Sequence, residues 1–581
     1  MSLTVLWCDD WVRLDPFEGE AMDGEDQAPE APPVRLATGR NMAASFQLLV
    51  GPLKKNTGVS VTPGKLSGPG RTSLGKRDFD VYVEWYHRIK DKWYPDALVP
   101  QEVVGGSTSA FRKNAGLKNP LFAGFWIDLF VPPDAKPGSY SGSLKIRAGR
   151  ESVAVPLEVT VSSARITAHA TLDMSFNNYA DGVSRGWKDV NANPRHMTSR
   201  KYLSIERGVW RAAHDHRGFI HYMPYGHSGH VHEGFAPPLT GEGPRKRVAS
   251  WKEWDRHFGG YFDGSAFRGT RRGAVPVKRF FMPFNLNWPA DFVKFGQPGY
   301  EAEWRAVGSQ IVEHFRKKKW TGTRFDIFLN HKQRYRYFPW DCEECRFLHD
   351  NNIQRYFRKL WEGTYDRKST RPVTFDYTLG STWSYEDDIY SDMSEFVDVY
   401  IANTGGTGEH PGRQAELVRQ GQQFWACTNS GGIADSLRAP AYTPTLMWMR
   451  DLQGFMPRWI SIDWGADPWH NVPGDGGGTF FYPGAEFGTE DSYPSIRAKV
   501  LRNQMQWIDL LETASRKRGR GRVKTAACRM MGMKPAHWFT TRGKKTGDWG
   551  SEEAAVTGWR DISTATFRAL RSQAVKLASG R

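Results

Sequence analysis

Arg324 to Cys345 reads RFDIFLNHKQRYRYFPWDCEEC, and a change of pattern inside it decides how the chain is read. Phe325-Asp326-Ile327-Phe328-Leu329 is a short apolar run of the kind that fills a strand buried on both faces of a parallel sheet. The run breaks into a polar, aromatic stretch that carries Trp340 and two adjacent carboxylates, Glu343 and Glu344. In a (β/α) barrel the side chains that do chemistry sit on loops at the C-terminal ends of the strands. A buried strand followed by a tryptophan and paired acids fits that placement.

Working outward, similar runs occur at Leu172–Phe176, Ile220–Met223, Val277–Phe284, Val373–Tyr377, Val397–Ile401, Gln423–Cys427 and Trp459–Asp463. Helical patterns separate several of them, notably Tyr300–Lys318 and Asn352–Tyr365. With the run at 325–329 this makes eight strands over roughly 300 residues, the usual extent of such a barrel. Ahead of it, residues 1–165 show short alternating runs such as Ala44–Val50, Phe79–Trp85, Phe125–Val131 and Val153–Val159. Gly/Pro punctuation separates these runs, the pattern of an antiparallel sandwich. The expected fold class is therefore α/β: a (β/α)8 TIM-like barrel over 166–511, preceded by an antiparallel β-sandwich over 1–165. A small, mainly helical C-terminal extension or tail over 512–581 is expected to follow.

Composition narrows the function classes. A chain of 581 residues exceeds one compact core. Its 24 Trp are more than packing usually demands, and flat indole faces suit the apolar faces of sugar rings. The net charge of +16 sits in dispersed runs such as Arg316–Lys319 and Arg516–Arg522, which read as solvated basic faces. A nucleic-acid partner would rest on that charge alone and is not expected. Five cysteines make no disulfide framework. No apolar segment is long enough to span a membrane. The start, MSLTVLWCDDW, lacks the basic and apolar regions of a signal peptide, so the protein is expected to be cytoplasmic, or secreted after loss of a leader. No cofactor is expected, because neither a phosphate loop nor a dinucleotide fingerprint occurs.

Hydrolysis of a glycoside needs a proton donor for the leaving oxygen and a group that stabilises the cationic anomeric carbon. Adjacent acids point apart, so Glu343 and Glu344 are not the facing pair of an ordinary retaining enzyme. They do fit a substrate-assisted scheme, in which one acid protonates the leaving group and the other orients a 2-acetamido group that attacks internally.

The motifs in order carry a resemblance. They are Phe328-Leu329-Asn330-His331-Lys332, Trp340-Asp341-Cys342-Glu343-Glu344-Cys345 and Phe375-Asp376-Tyr377, then Tyr482-Pro483-Gly484 and Pro494-Ser495-Ile496-Arg497-Ala498-Lys499-Val500-Leu501-Arg502. The run Phe284-Asn285-Leu286-Asn287-Trp288-Pro289 precedes them. The chain resembles glycoside hydrolase family 123 and the wider glycoside hydrolase-like family with a C-terminal domain of unknown function 4091. That resemblance implies a barrel hydrolase of β-linked N-acetylhexosaminides, N-acetylgalactosamine-like, working with neighbouring-group participation on a glycan. Glu344 matches the general acid/base, and Glu343 stands where the family has the aspartate that orients the acetamide. Glutamate is one methylene longer, and Cys345 replaces a proline.

Further candidates lie at the presumed strand ends. Tyr377 is expected to hydrogen-bond an acetamide oxygen and Asp376 to orient it. Asn285, Asn287, Asn330, Asn403 and Asn429 suit hydroxyl recognition, while Trp288, Trp383, Trp464 and Trp469 are candidate stacking platforms beside Trp340. Cys342-x-x-Cys345 is half a zinc site with no second half, and the cluster His221, His227, His230 and His232, closed by Glu233, reads as a polar pocket loop; no metal is expected. Two other readings stay open: a hydrolase of another, acidic polysaccharide using Glu344 with a distant carboxylate such as Asp376 or Glu233, and a carbohydrate-binding pseudoenzyme.

Overall fold

A computed structural model of the chain describes residues 3–22, 28–192, 196–226, 229–331, 348–364, 373–380, 393–404, 406–409, 411–539 and 558–579. In its first part, alternation in sequence becomes alternation in burial. Along Glu151–Arg165, Val155, Leu157, Val159 and Val161 are buried between exposed neighbours, as expected of a strand with one face on a core. Two such sheets face each other. One runs Thr4–Asp9, Met42–Gly51, Ala123–Val131, Phe79–Ile89, Lys92–Pro100 in spatial order, antiparallel throughout. The other centres on Gly138–Ala148 paired with Glu151–Arg165, whose outer neighbour Val34–Arg40 runs parallel to it. Phe46, Leu48, Val83, Phe125, Ile127, Leu144 and Ile146 fill the space between.

The second part is an eight-stranded parallel sheet rolled into a nearly closed barrel. Its strands, one to eight, are Asp173–Tyr179, Phe219–Met223, Arg279–Phe281, Arg324–Phe328, Thr374–Gly380, Val399–Asn403, Gln423–Cys427 and Gly454–Met456. Hydrogen bonding runs from strand two through one and eight back to three. Strands two and three meet without a ladder, and His221 of one stacks on Phe281 of the other across the seam. Helices Arg200–Asp215, Lys252–Phe262, Pro298–Lys318, Leu348–Glu362, Pro411–Gln420, Arg438–Met449 and Ile496–Arg518 connect or follow the strands. The helix Pro298–Lys318 shows why these form where they do. Proline opens it, Arg316, Lys317 and Lys318 sit against its negative end, and Lys319 ends it in a left-handed turn at φ 58°. The basic run is therefore a helix terminus.

Strand eight corrects the sequence reading. The expected run Trp459–Asp463 is a loop, joined to the rest by an isolated bridge between Ile462 and Thr479. The strand comes earlier, at Gly454–Met456, paired to strands one and seven. Glycine is needed there because a Cβ on Gly454 would lie 2.4 Å from the Trp425 ring.

Barrel and sandwich are joined by the helix Ile496–Arg518, most of whose residues are buried. Its Arg497 donates to both oxygens of Asp96 at 3.0 and 2.9 Å, and Lys499 and Arg502 bind Asp128. Both aspartates belong to the sandwich. The Pro494–Arg502 signature is thus a clamp between the two parts. From the loop after strand eight, Trp469, Tyr482 and Tyr493 enter the sandwich core itself. Beyond residue 511, helices Arg520–Met530 and Thr564–Ser579 pack back on the body. The second of them places Arg571 over Trp11, 3.6 Å from the ring centre, and pairs it with Asp10 at 2.7 Å. Among the described residues no helix is long and apolar enough to cross a membrane.

Candidate active site

The floor of the barrel is charged. Arg279 of strand three, 1% exposed, donates to Asp326 of strand four at 2.6 Å and to Asp376 of strand five at 2.9 Å. It also reaches Gln423 at 2.8 Å and stands over the Trp425 ring. Asp326 and Asp376 are register partners on adjacent strands, so both turn inward at one level. Thr378 donates to Asp326, and His221 lies 3.2 Å from its other oxygen. Burial alone would raise the Asp326 carboxyl; Arg279, His221 and Thr378 reverse this and hold it below the ordinary range. The same burial drives His221 down, so the imidazole stays neutral against Phe281. An ion cluster of this kind costs desolvation and is favourable only when every member is paired. It fixes strands three, four and five relative to one another beneath the strand ends.

Above this floor the strand ends carry amides and aromatic hydroxyls. Asn330, 1% exposed, follows strand four and donates to Tyr179 Oη at the end of strand one, 3.2 Å away. Its Oδ1 is buried without a hydrogen-bond partner among the described residues. His331 beside it stacks on Tyr225 (ring centres 5.4 Å, planes 14° apart), and the Tyr225 hydroxyl donates to the Phe328 carbonyl. After strand three, Asn285 Oδ1 accepts from the Asn287 amide at 2.7 Å, holding a tight turn that ends in a cis Trp288–Pro289 bond. Gly229 closes the group. A Cβ there would lie 2.8 Å from Asn285 Oδ1, 3.0 Å from His331 Nε2 and 3.1 Å from Asn287 Nδ2, and its φ is +75°. A bare backbone therefore brings the loop after strand two down onto three polar side chains from strands three and four.

Of the residues expected from sequence, this upper face brings together Asn285, Asn287, Trp288 and Asn330. Asn403 and Asn429 are exposed at the ends of strands six and seven, Asn429 accepting from the Gly431 amide. Glu343, Glu344, Trp340, Cys342, Cys345, Trp383 and His227 lie outside the described residues. The segment 332–347 that contains the paired acids links Asn330 and His331 to the helix Leu348–Glu362.

Four expectations are corrected. Asp376 is held in the floor, with Arg324 donating to both its oxygens at 2.6 Å besides the Arg279 bond, so it cannot turn toward a sugar. Tyr377, its neighbour, faces the opposite side of the strand, and its hydroxyl donates to Gln354 Oε1 at 2.6 Å on the helix Leu348–Glu362. Trp464 is 2% exposed, donates to the Phe481 carbonyl and packs edge-on against Trp187. Trp469 is buried in the sandwich core, its N–H on the Pro483 carbonyl. Neither indole offers a face to a ligand. The histidines also disperse: His221 is in the floor while His230 and Glu233 are exposed, and no metal-holding cluster occurs among the described residues. Tyr179, Tyr225, His331 and Arg279 are the residues the sequence reading missed; the available signal was polar side chains at or inside otherwise apolar strand runs.

A nearly closed parallel barrel with amides and hydroxyls gathered at the C-terminal ends of its strands, behind a sandwich, defines the fold class. Compared with solved structures, the chain is similar to a family 123 glycoside hydrolase from Clostridium perfringens, described for glycolipid glycan hydrolysis. The TM-score is 0.66 at 13% identity, over 100% of this chain and 98% of that one. The likeness shows a shared fold from end to end, sandwich, barrel and C-terminal helices included. A β-glucuronidase of Parabacteroides merdae aligns over 71% of this chain and 45% of its own, at 8% identity and a TM-score of 0.26. No protein-family model matches the chain, and no curated protein sequence matches it.

Proposed function

We propose that the chain is a glycoside hydrolase that acts on β-linked N-acetylhexosamine glycans by substrate-assisted retention. The observation that carries this reading is the alignment of motif with position. Asn285-Leu286-Asn287-Trp288-Pro289 follows strand three and Asn330 follows strand four, at the mouth of a barrel whose fold matches the family 123 enzyme end to end. In this reading Glu344 donates its proton to the glycosidic oxygen as the C1–O bond breaks. The 2-acetamido oxygen attacks C1, while Glu343 accepts the acetamide N–H and holds that group in line. Water then attacks C1 from the face the leaving group vacated, the bond between C1 and the acetamide oxygen breaks to restore the 2-acetamido group, Glu344 takes the water's proton, and the retained hemiacetal leaves. The polar shelf of Asn330, Tyr179, Asn285 and Asn287 serves to orient sugar hydroxyls. The engagement of Asp376 with two arginines speaks against a scheme in which it acts as the second carboxylate.

Hydrolysis of aryl β-N-acetylgalactosaminide and β-N-acetylglucosaminide by wild type and Glu344→Gln tests this. Loss of about 10² or more in kcat is expected for a poor leaving group. Unchanged turnover in the variant removes Glu344 from the role, and wild-type turnover of neither glycoside removes the N-acetylhexosaminidase reading.

A further inference from the structure

Beside the polar shelf, and sharing Asn287 with it, runs a shallow, solvent-open trough of about 660 Å³ whose other lining residues have no part in the proposed chemistry. One wall is the turn after strand three, with Asn287 and the half-buried ring of Trp288. The other is the hairpin formed by Leu239–Thr240 and Arg247–Val248, with Pro238 and Glu242; Asp291 completes the lining. The hairpin is firmly built. Glu303 of the helix Pro298–Lys318, 1% exposed, accepts from Lys246 at 2.5 Å, from the Gly243 amide at 3.1 Å and from Lys294 at 3.2 Å. Trp288 is fixed from behind by Phe284, edge to face at 5.1 Å.

This lining has a definite chemistry. An indole and a proline give apolar surface, and Glu242, Asp291 and Asn287 offer oxygens and an amide to hydroxyl groups. The cation in the lining, Lys246, shares Glu303 with Lys294, so that with Glu242 and Asp291 three carboxylates stand against two lysines and a net charge of −1 remains. The exposed charges left in the trough are the carboxylates Glu242 and Asp291. Such a surface attracts uncharged hydroxylated rings and repels acidic ones. It is continuous with the active-site shelf through Asn287 and Trp288.

Resting on the hydrolase reading above, we infer that the trough is a binding subsite for the part of the glycan beyond the cleaved bond, and that this part is a neutral sugar. The net positive charge of the chain is therefore no guide to its substrate. A sugar ring laid on Trp288 would place hydroxyls near Glu242 and Asp291.

The test compares three substrates with one reducing-end difference: an aryl β-N-acetylhexosaminide, a β-N-acetylhexosaminyl-hexose and a β-N-acetylhexosaminyl-uronic acid. Kinetics are measured for wild type, Glu242→Ala, Asp291→Asn and the double variant. The inference expects wild type to prefer the neutral disaccharide over the uronate by at least tenfold in kcat/KM. Each single variant should lose about tenfold on the neutral disaccharide, one charge-assisted hydrogen bond, while keeping the aryl glycoside within twofold. The double variant should narrow the bias against the uronate. Equal losses on aryl glycoside and disaccharide overturn the subsite, as does wild-type preference for the uronate. Should no substrate turn over, the hydrolase reading fails separately, and calorimetric binding of the two disaccharides to wild type and the double variant decides the trough on the same criteria.

Discussion

Replacing Asp128 by asparagine tests what joins the sandwich to the barrel. Asp128 is 1% exposed and accepts five hydrogen bonds. Oδ1 takes Ser45 at 2.6 Å, Trp126 Nε1 at 2.8 Å and Arg502 Nη2 at 2.8 Å; Oδ2 takes Lys499 at 2.8 Å and Arg502 Nη1 at 2.7 Å. An amide has one accepting atom. Whichever way it sits, its NH2 group meets at least two donors, and two buried cations lose their counter-charge. Two lost charge-assisted bonds are worth about 1.5–3 kcal/mol each. Breaking a buried ion pair by neutralising one partner costs about 3–5 kcal/mol. These describe the same event, so the expected loss is about 3–5 kcal/mol, read from urea unfolding by far-ultraviolet circular dichroism at pH 7. The sign with pH is fixed as well. Burial would raise the Asp128 carboxyl, but Arg502 and Lys499 hold it well below its ordinary 3.8. Its contribution is therefore present above pH 3.8 and fades as pH falls below, and the gap between variant and wild type should close in acid. A loss under about 1 kcal/mol at pH 7, or a gap that widens in acid, would refute the clamp.

Other perturbations follow from buried groups. Burial lifts the Glu84 carboxyl from 4.5 to about 8, against weaker help from Tyr86 and Arg13. A raised acid makes the fold less stable as pH climbs from 4.5 toward 8, by about 3 kcal/mol at pH 7, and Glu84→Gln should flatten that slope in thermal unfolding followed from pH 4 to 7. Arg279→Gln takes the arginine from Asp326, while Asp376 keeps Arg324, and should destabilise by about 3–5 kcal/mol, more at pH 8 than at pH 5, because protonation relieves the stranded Asp326 carboxylate; a pH-independent loss in calorimetry would contradict this. Gly454→Ala sets a methyl 2.4 Å from the Trp425 ring, and should cost about 1–3 kcal/mol in unfolding. Pairing it with Trp425→Leu should return part of that loss, and no recovery in the double variant would mean the clash lies elsewhere.

Seven of the eight barrel strands were legible because a parallel strand buried on both faces is a short apolar run, and Gln423–Cys427 was read to the residue. The eighth was not, since Gly454–Met456 is three residues long and opens with a residue that has no side chain to signal it. The apolar run just beyond, Trp459–Asp463, drew the assignment instead. The candidate site was less legible. Period-two alternation says that Asp376 and Tyr377 face opposite ways, but nothing local says which of the two faces the barrel axis. Nor does a sequence distinguish a tryptophan that fills a core, as Trp464 and Trp469 do, from one that lines a trough, as Trp288 does. The difference is made by contacts such as Gly186 against Trp464, hundreds of residues away in the chain. Arg497, Lys499 and Arg502 were recognised as a motif, while their structural role needed Asp96 and Asp128 in place.

The indole of Trp469 has a consequence for how this architecture is partitioned. It is donated by the barrel's last long loop, yet together with Tyr482 and Phe487 of the same stretch it packs on Trp85 inside the core of the amino-terminal half. Cutting near residue 165 would therefore not release a self-sufficient cassette; it would pull a plug from one half and expose the socket in the other. What the eye divides into two bodies shares one packed interior.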